Sequence, residues 1–396
     1  MKQNTEYNSK NYLKLYYVFF ASSMVFLFIS HTIALWRFYE PLVRLPQIVS
    51  ELLSLYIFFN SLLKYRNIGK IVIVLFTIVV LINFFLTNWY EARLLWLLFV
   101  LIIGAKGIKF REIVKFHLII ETFLCFSNVA AYFLGFINNS YIFAGDEREA
   151  RLADEIITRL SFGYPAAGDF ATHVLYLFLD YWILKRGIFR LRDYFLLSTI
   201  LYILLYYSDA RQASVCVFLL FLFSAIVRYY RKICSKISFF LIFSIPLLFF
   251  ITLTATLLYD DSDIIWILAD FVLSGRLHLG QEAIQEYGIQ LLGQRIQFVG
   301  GGMTTLIDEY NYVDSGYIQF LLLWGTLIMS FFLLAFIVIG RKAYKREDYI
   351  LLFSLLIAGI STVTTQFLFI PNYCILILSL TASYDRSLVE KNCAYA

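Results

Sequence analysis

Charge is what this 396-residue chain has little of: Asp, Glu, Lys and Arg make up 15% of it, against 61% apolar residues. A soluble domain carries about 25% charged residues, so this scarcity excludes a chain built to fold in water. Proline is scarce too, with five residues, which leaves long apolar stretches free to be helical. The five cysteines, Cys125, Cys216, Cys234, Cys374 and Cys393, stand singly, and none makes a CxxC or metal-spaced group. An odd, scattered set argues against a disulfide framework. The nearest approach to an acidic metal cluster is Asp260, Asp261 and Asp263, which reads as a solvated boundary at the end of an apolar run. Neither a metal nor any other cofactor is expected, and no nucleic-acid partner.

What is present are apolar runs long enough to cross a hydrocarbon core of about 30 Å. The first begins near Leu15 and has no small-residue cleavage site after it, so it is expected to be a retained helix rather than a signal peptide. The chain therefore reads as an all-α polytopic membrane protein, a single integral domain over 1–396 with about twelve spans. They are expected near 15–36, 46–63, 70–87, 92–105, 113–136, 165–184, 194–207, 212–228, 237–258, 314–339, 348–364 and 367–383.

Charge distribution sets the expected orientation. With both termini cytoplasmic, nine of the 33 Lys and Arg fall outside and 24 inside, as the positive-inside rule requires. The nine are all arginine: Arg37, Arg44, Arg93, Arg148, Arg151, Arg159, Arg211, Arg276 and Arg295. Lysine serves topology as well as arginine does, but the guanidinium fork suits bidentate contact with phosphate and carboxylate. An outer face with arginine alone points to an anionic ligand there, with surface ion pairs as the plainer explanation.

Two outer loops are long, 137–164 and 259–313, and long loops in a compact domain are usually functional. In the first, Leu152, Ile156 and Leu160 recur at spacing four opposite Arg148, Arg151, Asp154, Glu155 and Arg159. That pattern predicts an amphipathic helix on the membrane surface, with Arg159 as a ligand candidate. In the second, Ser274 reads as an N-cap, and Ile284, Tyr287 and Leu291 form a stripe that predicts a helix over about 275–292. Arg276 then lies in the first turn, where a cation works against the helix dipole, and a helix start with an arginine suits an anion. Gly300, Gly301 and Gly302 lack the strand–helix context of a phosphate loop and read as a connector.

Three stretches carry a resemblance: YYSDARQASVCVFLLFL (206–222), SGRLHLGQEAIQEYGIQLLGQ (274–294) and VDSGYIQFLLLWG (313–325). In this order and on this side of the membrane they resemble the Wzy-type polysaccharide polymerases, relatives of the O-antigen ligases. The resemblance implies a GT-C-like membrane enzyme that joins oligosaccharide repeat units carried on undecaprenyl pyrophosphate, on the outer face of the cytoplasmic membrane, without metal. Its implied partners are those lipid-linked donors and acceptors, membrane lipids and a chain-length regulator. Its arginines match Arg211 and Arg276, which are expected to bind the pyrophosphate, with Arg295 and Arg159 as further contacts. Asp314 stands where the related ligases carry a histidine and is the candidate base, with His278 as runner-up. Tyr310, Tyr312, Tyr317 and Trp266 are candidates for stacking on sugars, although interfacial anchoring explains them as well.

Within the spans, Asp169 and His173 share one helix face, and Glu51, His117 and Glu121 are further intramembrane ionisable groups without an assigned role. The rival function is a flippase for the same lipid-linked sugars. Such a protein should concentrate charge in a central cavity, whereas here charge gathers in the outer loops.

Overall fold

The computed structural model describes residues 2–32, 40–137, 160–208, 210–229, 231–299 and 311–384. The helix expected in the first long loop, with Arg148, Arg151 and Arg159, lies outside them, as do Gly300–302 and Tyr310. Fourteen α-helices are described. The first five are α1 (Lys2–Thr32), α2 (Glu40–Lys64), α3 (Asn67–Leu86), α4 (Trp89–Gly104) and α5 (Phe110–Phe133). The next five are α6 (Ala167–Leu184), α7 (Leu191–Tyr206), α8 (Arg211–Tyr229), α9 (Arg231–Leu241) and α10 (Ser244–Leu257). Two short helices, α11 (Ile264–Val272) and α12 (Arg276–Tyr287), precede α13 (Gly316–Lys345) and α14 (Tyr349–Thr362).

A membrane setting is written on the surface. α3 leaves Ile68, Ile71, Val72, Val74, Leu75, Ile78, Leu81, Ile82 and Phe85 exposed, and α7 leaves Leu191, Phe195, Leu196, Tyr202 and Leu205 exposed. Apolar surface this continuous is stable only against lipid or another protein. Several long apolar helices make this a multi-pass membrane protein.

The expectation of about twelve spans is corrected. Among the described residues six helices are long and apolar enough to cross a membrane, or seven if the bent pair Ile233–Leu241 and Ser244–Leu257 counts as one span. Apolar runs suggest spans, but the same runs also build shorter elements, buried like α4 or with exposed apolar faces like α7. α4 and α7, with 16 residues each, rise only ~24 Å, and α6, a continuous helix, carries Asp169, His173 and Asp180 among its buried residues. The 55° bend between α9 and α10 has a covalent cause: Pro246 cannot donate to the carbonyl of Ile242, so the helix breaks there.

The largest departure is at 367–383, expected as the twelfth span. This stretch is irregular, with only two short 3-10 turns, Phe367–Phe369 and Leu376–Leu380, and almost every residue in it is buried. It threads through the bundle among α4, α13 and α14. It begins beside the end of α14 and finishes where Ser383 exchanges backbone hydrogen bonds with Ile108 and Phe110 at 2.7 and 2.9 Å, beside a short Thr381–Ile102 contact. Irregular backbone at this depth survives only where protein covers it or it lines a cavity.

α13 is also broken. Gly325, at φ 80° and ψ 169°, separates 316–324 from 326–345. The tail of the second long loop docks into this break: Thr326 and Leu327 donate N–H groups to the carbonyls of Gln290 and Leu291 (3.0 Å each), and Gln294 donates to Leu323 (3.2 Å). Asn83 of α3 accepts from the Gly293 N–H at 2.8 Å, and Asn88 donates to Ile296 at 2.6 Å. This tail is thus a fixed part of one end of the bundle, called the Arg276 end below. The opposite end, at 104–110 and 345–349, is the Lys106 end.

Candidate functional site

The Arg276 corner is built by a tight reversal between α11 and α12. Ser274 and Gly275 are both left-handed, at φ 56° and 81°, and the chain turns back within two residues. Ser274 is therefore not the N-cap that the sequence suggests. Gly275 occupies that position, where a Cβ would meet the His278 ring at 3.1 Å. The capping oxygen comes instead from Asp270 on α11, which accepts from the Leu277 N–H at 2.7 Å and from the His278 N–H at 3.3 Å. Its second oxygen meets His278 Nδ1 at 2.7 Å. Burial alone would raise this carboxyl, but the His278 hydrogen bond and the two N–H groups outweigh it and hold the group below the usual carboxylate range. α12 ends at Gly288, so Leu291 of the expected stripe lies beyond the helix, while Ile284 and Tyr287 pack on the core.

Arg276 folds back over this turn. Its guanidinium donates to the carbonyls of Ser274 (2.7 Å) and Leu273 (3.2 Å) and pairs with Asp314 at 3.2 Å, while its buried Nε has no hydrogen-bond partner. The misplaced cation inferred from the sequence is thus compensated by a distant carboxylate and by the C-terminal carbonyls of α11. Asp314 sits just ahead of α13, next to Ser315, whose buried hydroxyl is unpartnered. Burial raises the Asp314 carboxyl above its ordinary range, Arg276 pulls it back, and Asp169 pushes it up again. That last influence puts Asp169 within electrostatic reach, and Asp169 in turn meets His31 at 3.4 Å.

Of the residues singled out from the sequence, Arg276, His278 and Asp314 are brought into one corner. Arg211 is exposed at the start of α8, which packs on α6, α7, α9 and α14, whereas α12 packs on α10, α11 and α13. The two arginines are thus held by different neighbours. Arg295 is exposed on the docked loop tail. Tyr317 is corrected: it is fully buried and donates to the Gly359 carbonyl at 3.1 Å, so it is a core residue and not a sugar platform. Tyr312 is half-buried and accepts from Gln366 at 2.6 Å, and Trp266 is partly exposed. Arg93 pairs with Glu51 at 3.0 Å, which accounts for that intramembrane acid.

Sequence reasoning missed Asp270. The acid precedes His278 by eight residues on another helix, and only the reversal at Ser274–Gly275 brings it round. It also left open a second cluster. Asp169 and His173 do not pair with each other: His173 meets Glu121 at 3.6 Å, and His117 meets Asp180 at 2.5 Å, all four residues buried. Donor atoms of Glu121, Cys125 and His173 lie within 4.8 Å of one another, a set spread over α5 and α6 that spacing within one segment cannot reveal. No family model matches the chain, and no curated protein or solved structure is significantly similar to it.

Proposed function

We propose that the protein is a membrane glycosyltransferase that polymerises oligosaccharide repeat units carried on a lipid pyrophosphate, with the Arg276 end outside the cell and the Lys106 end in the cytoplasm. The observation that carries this reading is the corner itself, where a guanidinium and an imidazole in the first turn of α12 are each held by a carboxylate. The reaction breaks the anomeric C–O bond to pyrophosphate, forms the glycosidic C–O bond with inversion, and moves the acceptor hydroxyl proton to a base. Arg276 stabilises the charge that develops on the leaving pyrophosphate without a metal. The base departs from the expectation of Asp314, because that carboxylate is committed to Arg276. His278, whose Nδ1 is tied to Asp270, has the arrangement that orients an imidazole to take a proton through Nε2. Asp314 positions Arg276. Arg211 and Arg295 remain candidate contacts to the substrate's anionic head, as does Arg159.

The test is to incubate purified protein with defined undecaprenyl-pyrophosphate repeat units and resolve the products. A ladder of polymer supports the reading, transfer only to a different glycan acceptor makes the protein a ligase of the same chemistry, and no transfer at all overturns it. The buried acids and histidines between α1, α5 and α6 favour a second reading, a transporter of lipid-linked sugars, since charge inside the bundle is what such a protein needs.

A further inference from the structure

Three histidine–carboxylate pairs lie in sequence along the interior. At the Arg276 end His31 of α1 meets Asp169 of α6 at 3.4 Å. One helical turn further, His173 of α6 meets Glu121 of α5 at 3.6 Å, and beyond it His117 of α5 meets Asp180 of α6 at 2.5 Å. Three of the chain's four histidines are used in this way. Asp169 and Asp180 are separated by ~16 Å of helix, about half of a hydrocarbon core. One turn past Asp180, the Leu184 carbonyl accepts from exposed Arg111 at 3.0 Å, so the row stops about one turn short of an exposed residue near the Lys106 end.

The pairs are joined through shared elements. Asp169 and His173 are four residues apart on α6, and His117 and Glu121 four apart on α5, so each pair is one turn from the next. The irregular segment runs beside them: the Tyr373 ring stacks on His173 at 3.7 Å and meets His31 edge-on at 5.9 Å. The other titratable groups facing the row are Cys125 on α5, Tyr164 ahead of α6, and Cys374 beside Tyr373, with Tyr312 and Asp314 at its outer margin.

Two features separate this row from ordinary structural pairing. Among the described residues no lysine or arginine pairs with Glu121, Asp169 or Asp180, so a neutral histidine leaves each pair with a net negative charge in a low-dielectric interior, which is strongly unfavourable. One proton per pair removes that charge. Second, both Glu121 oxygens and His117 Nε2 are buried without a hydrogen-bond partner, although polar atoms buried to this degree are normally satisfied. Bases that hold one proton each, one turn apart, with spare acceptor capacity between them, are what proton transfer along a row requires.

We propose that His31–Asp169, His173–Glu121 and His117–Asp180 form a proton path through the bundle, conducting between its two ends. The proton binds a carboxylate or imidazole of one pair and leaves for the next, and no bond other than O–H and N–H changes. The proposal stands whether the Arg276 corner transfers sugars or not.

The test uses the full-length protein reconstituted in vesicles of neutral and anionic phospholipid that enclose a pH-sensitive dye. A potassium diffusion potential drives protons, and sodium is equal on both sides. Wild-type vesicles should acidify several-fold faster than protein-free ones, and more slowly in D2O. Glu121→Gln and Asp180→Asn should each return the rate to that of protein-free vesicles, whereas Glu51→Gln, altering the Arg93 ion pair, should leave it intact. Since a buried substitution can fail to fold, the wild-type rate decides first: acidification no faster than in protein-free vesicles overturns the proposal. So does unchanged flux in both folded variants, or flux that vanishes with chelator and returns with zinc, which would make Glu121, Cys125 and His173 a metal site.

Discussion

The Arg276 guanidinium and the Asp314 carboxylate meet at 3.2 Å, although a long loop separates them in sequence. This ion pair joins the start of α12 to the start of α13. It makes the two residues testable separately, because Arg276 is also held by the Ser274 and Leu273 carbonyls, which Asp314 does not touch.

Arg276→Lys keeps the charge but loses the fork that reaches Ser274, Leu273 and Asp314 together. A hydrogen bond to a charged group contributes about 1.5–3 kcal/mol, equivalent to roughly ten- to hundredfold in rate. Polymer formation in the reconstituted assay should fall by that order while the amount of protein inserted in the membrane is unchanged. Arg211→Lys, at a separately packed and exposed position, should cost less. Wild-type turnover in Arg276→Lys would move the anion site elsewhere.

Asp314→Asn isolates a pH effect. A carboxyl raised on folding binds its proton more tightly in the native state, so its contribution to stability is present at low pH and is lost as pH rises through the raised value. Thermal unfolding of the wild type should therefore include a decline in stability above the usual carboxylate range that the asparagine variant lacks. The pH profile of the polymerase reaction should still follow His278, and an acid limb that disappears in Asp314→Asn would return the base to Asp314.

Asp270 has the opposite sign. Its carboxyl is held below the usual range, so its contribution is present above the unfolded-state value and is lost as pH falls through the depressed one. Asp270→Asn should loosen the corner by about 1–2 kcal/mol, the usual worth of a helix cap. Hydrogen exchange at the Leu277 and His278 amides is the measurement, and exchange as slow as in the wild type would show that the cap is dispensable.

The docked loop tail predicts a steric effect. A Cβ on Gly293 would stand 2.2 Å from Asn83 Oδ1 and 2.5 Å from the Leu323 carbonyl, whereas one on Gly168 would meet nothing within 4 Å. Gly293→Ala should lower stability by about 1–3 kcal/mol, with Gly168→Ala near neutral, both read by thermal unfolding in detergent. Equal unfolding temperatures would mean that the tail is not anchored.

Orientation can be checked directly. Gln285, exposed on α12, and Lys345, exposed at the end of α13, should lie on opposite sides of the membrane. With native cysteines as background, Gln285→Cys should react with an impermeant thiol reagent in intact cells and Lys345→Cys only after lysis. The reverse pattern would put the Arg276 end in the cytoplasm.

The sequence was most informative where a pattern is local. The apolar runs located most helices, the loop helix at 276–287 followed from its stripe, and the i, i+4 spacings of Asp169 with His173 and of His117 with Glu121 were visible. It was least informative where partners come from different helices. His173 chose Glu121 over its neighbour Asp169, and Asp270 reached His278 round a left-handed turn; both outcomes depend on packing that no single periodicity encodes. The run at 367–383 misled for a related reason. Apolar composition reports burial, and burial is shared by a lipid-facing helix and an irregular chain wrapped in protein.

That irregular run also bears on how the molecule is assembled. It follows all fourteen described helices, yet it occupies the middle of the bundle, in contact with α4 in the first third of the sequence and α13 in the last. An extended chain with unpaired backbone groups is not stable alone in lipid. The earlier helices must therefore leave a slot between α4 and α13 until this run has been made. Tyr373 then closes against His173, so the centre of the bundle sets only after the helices around it are in place.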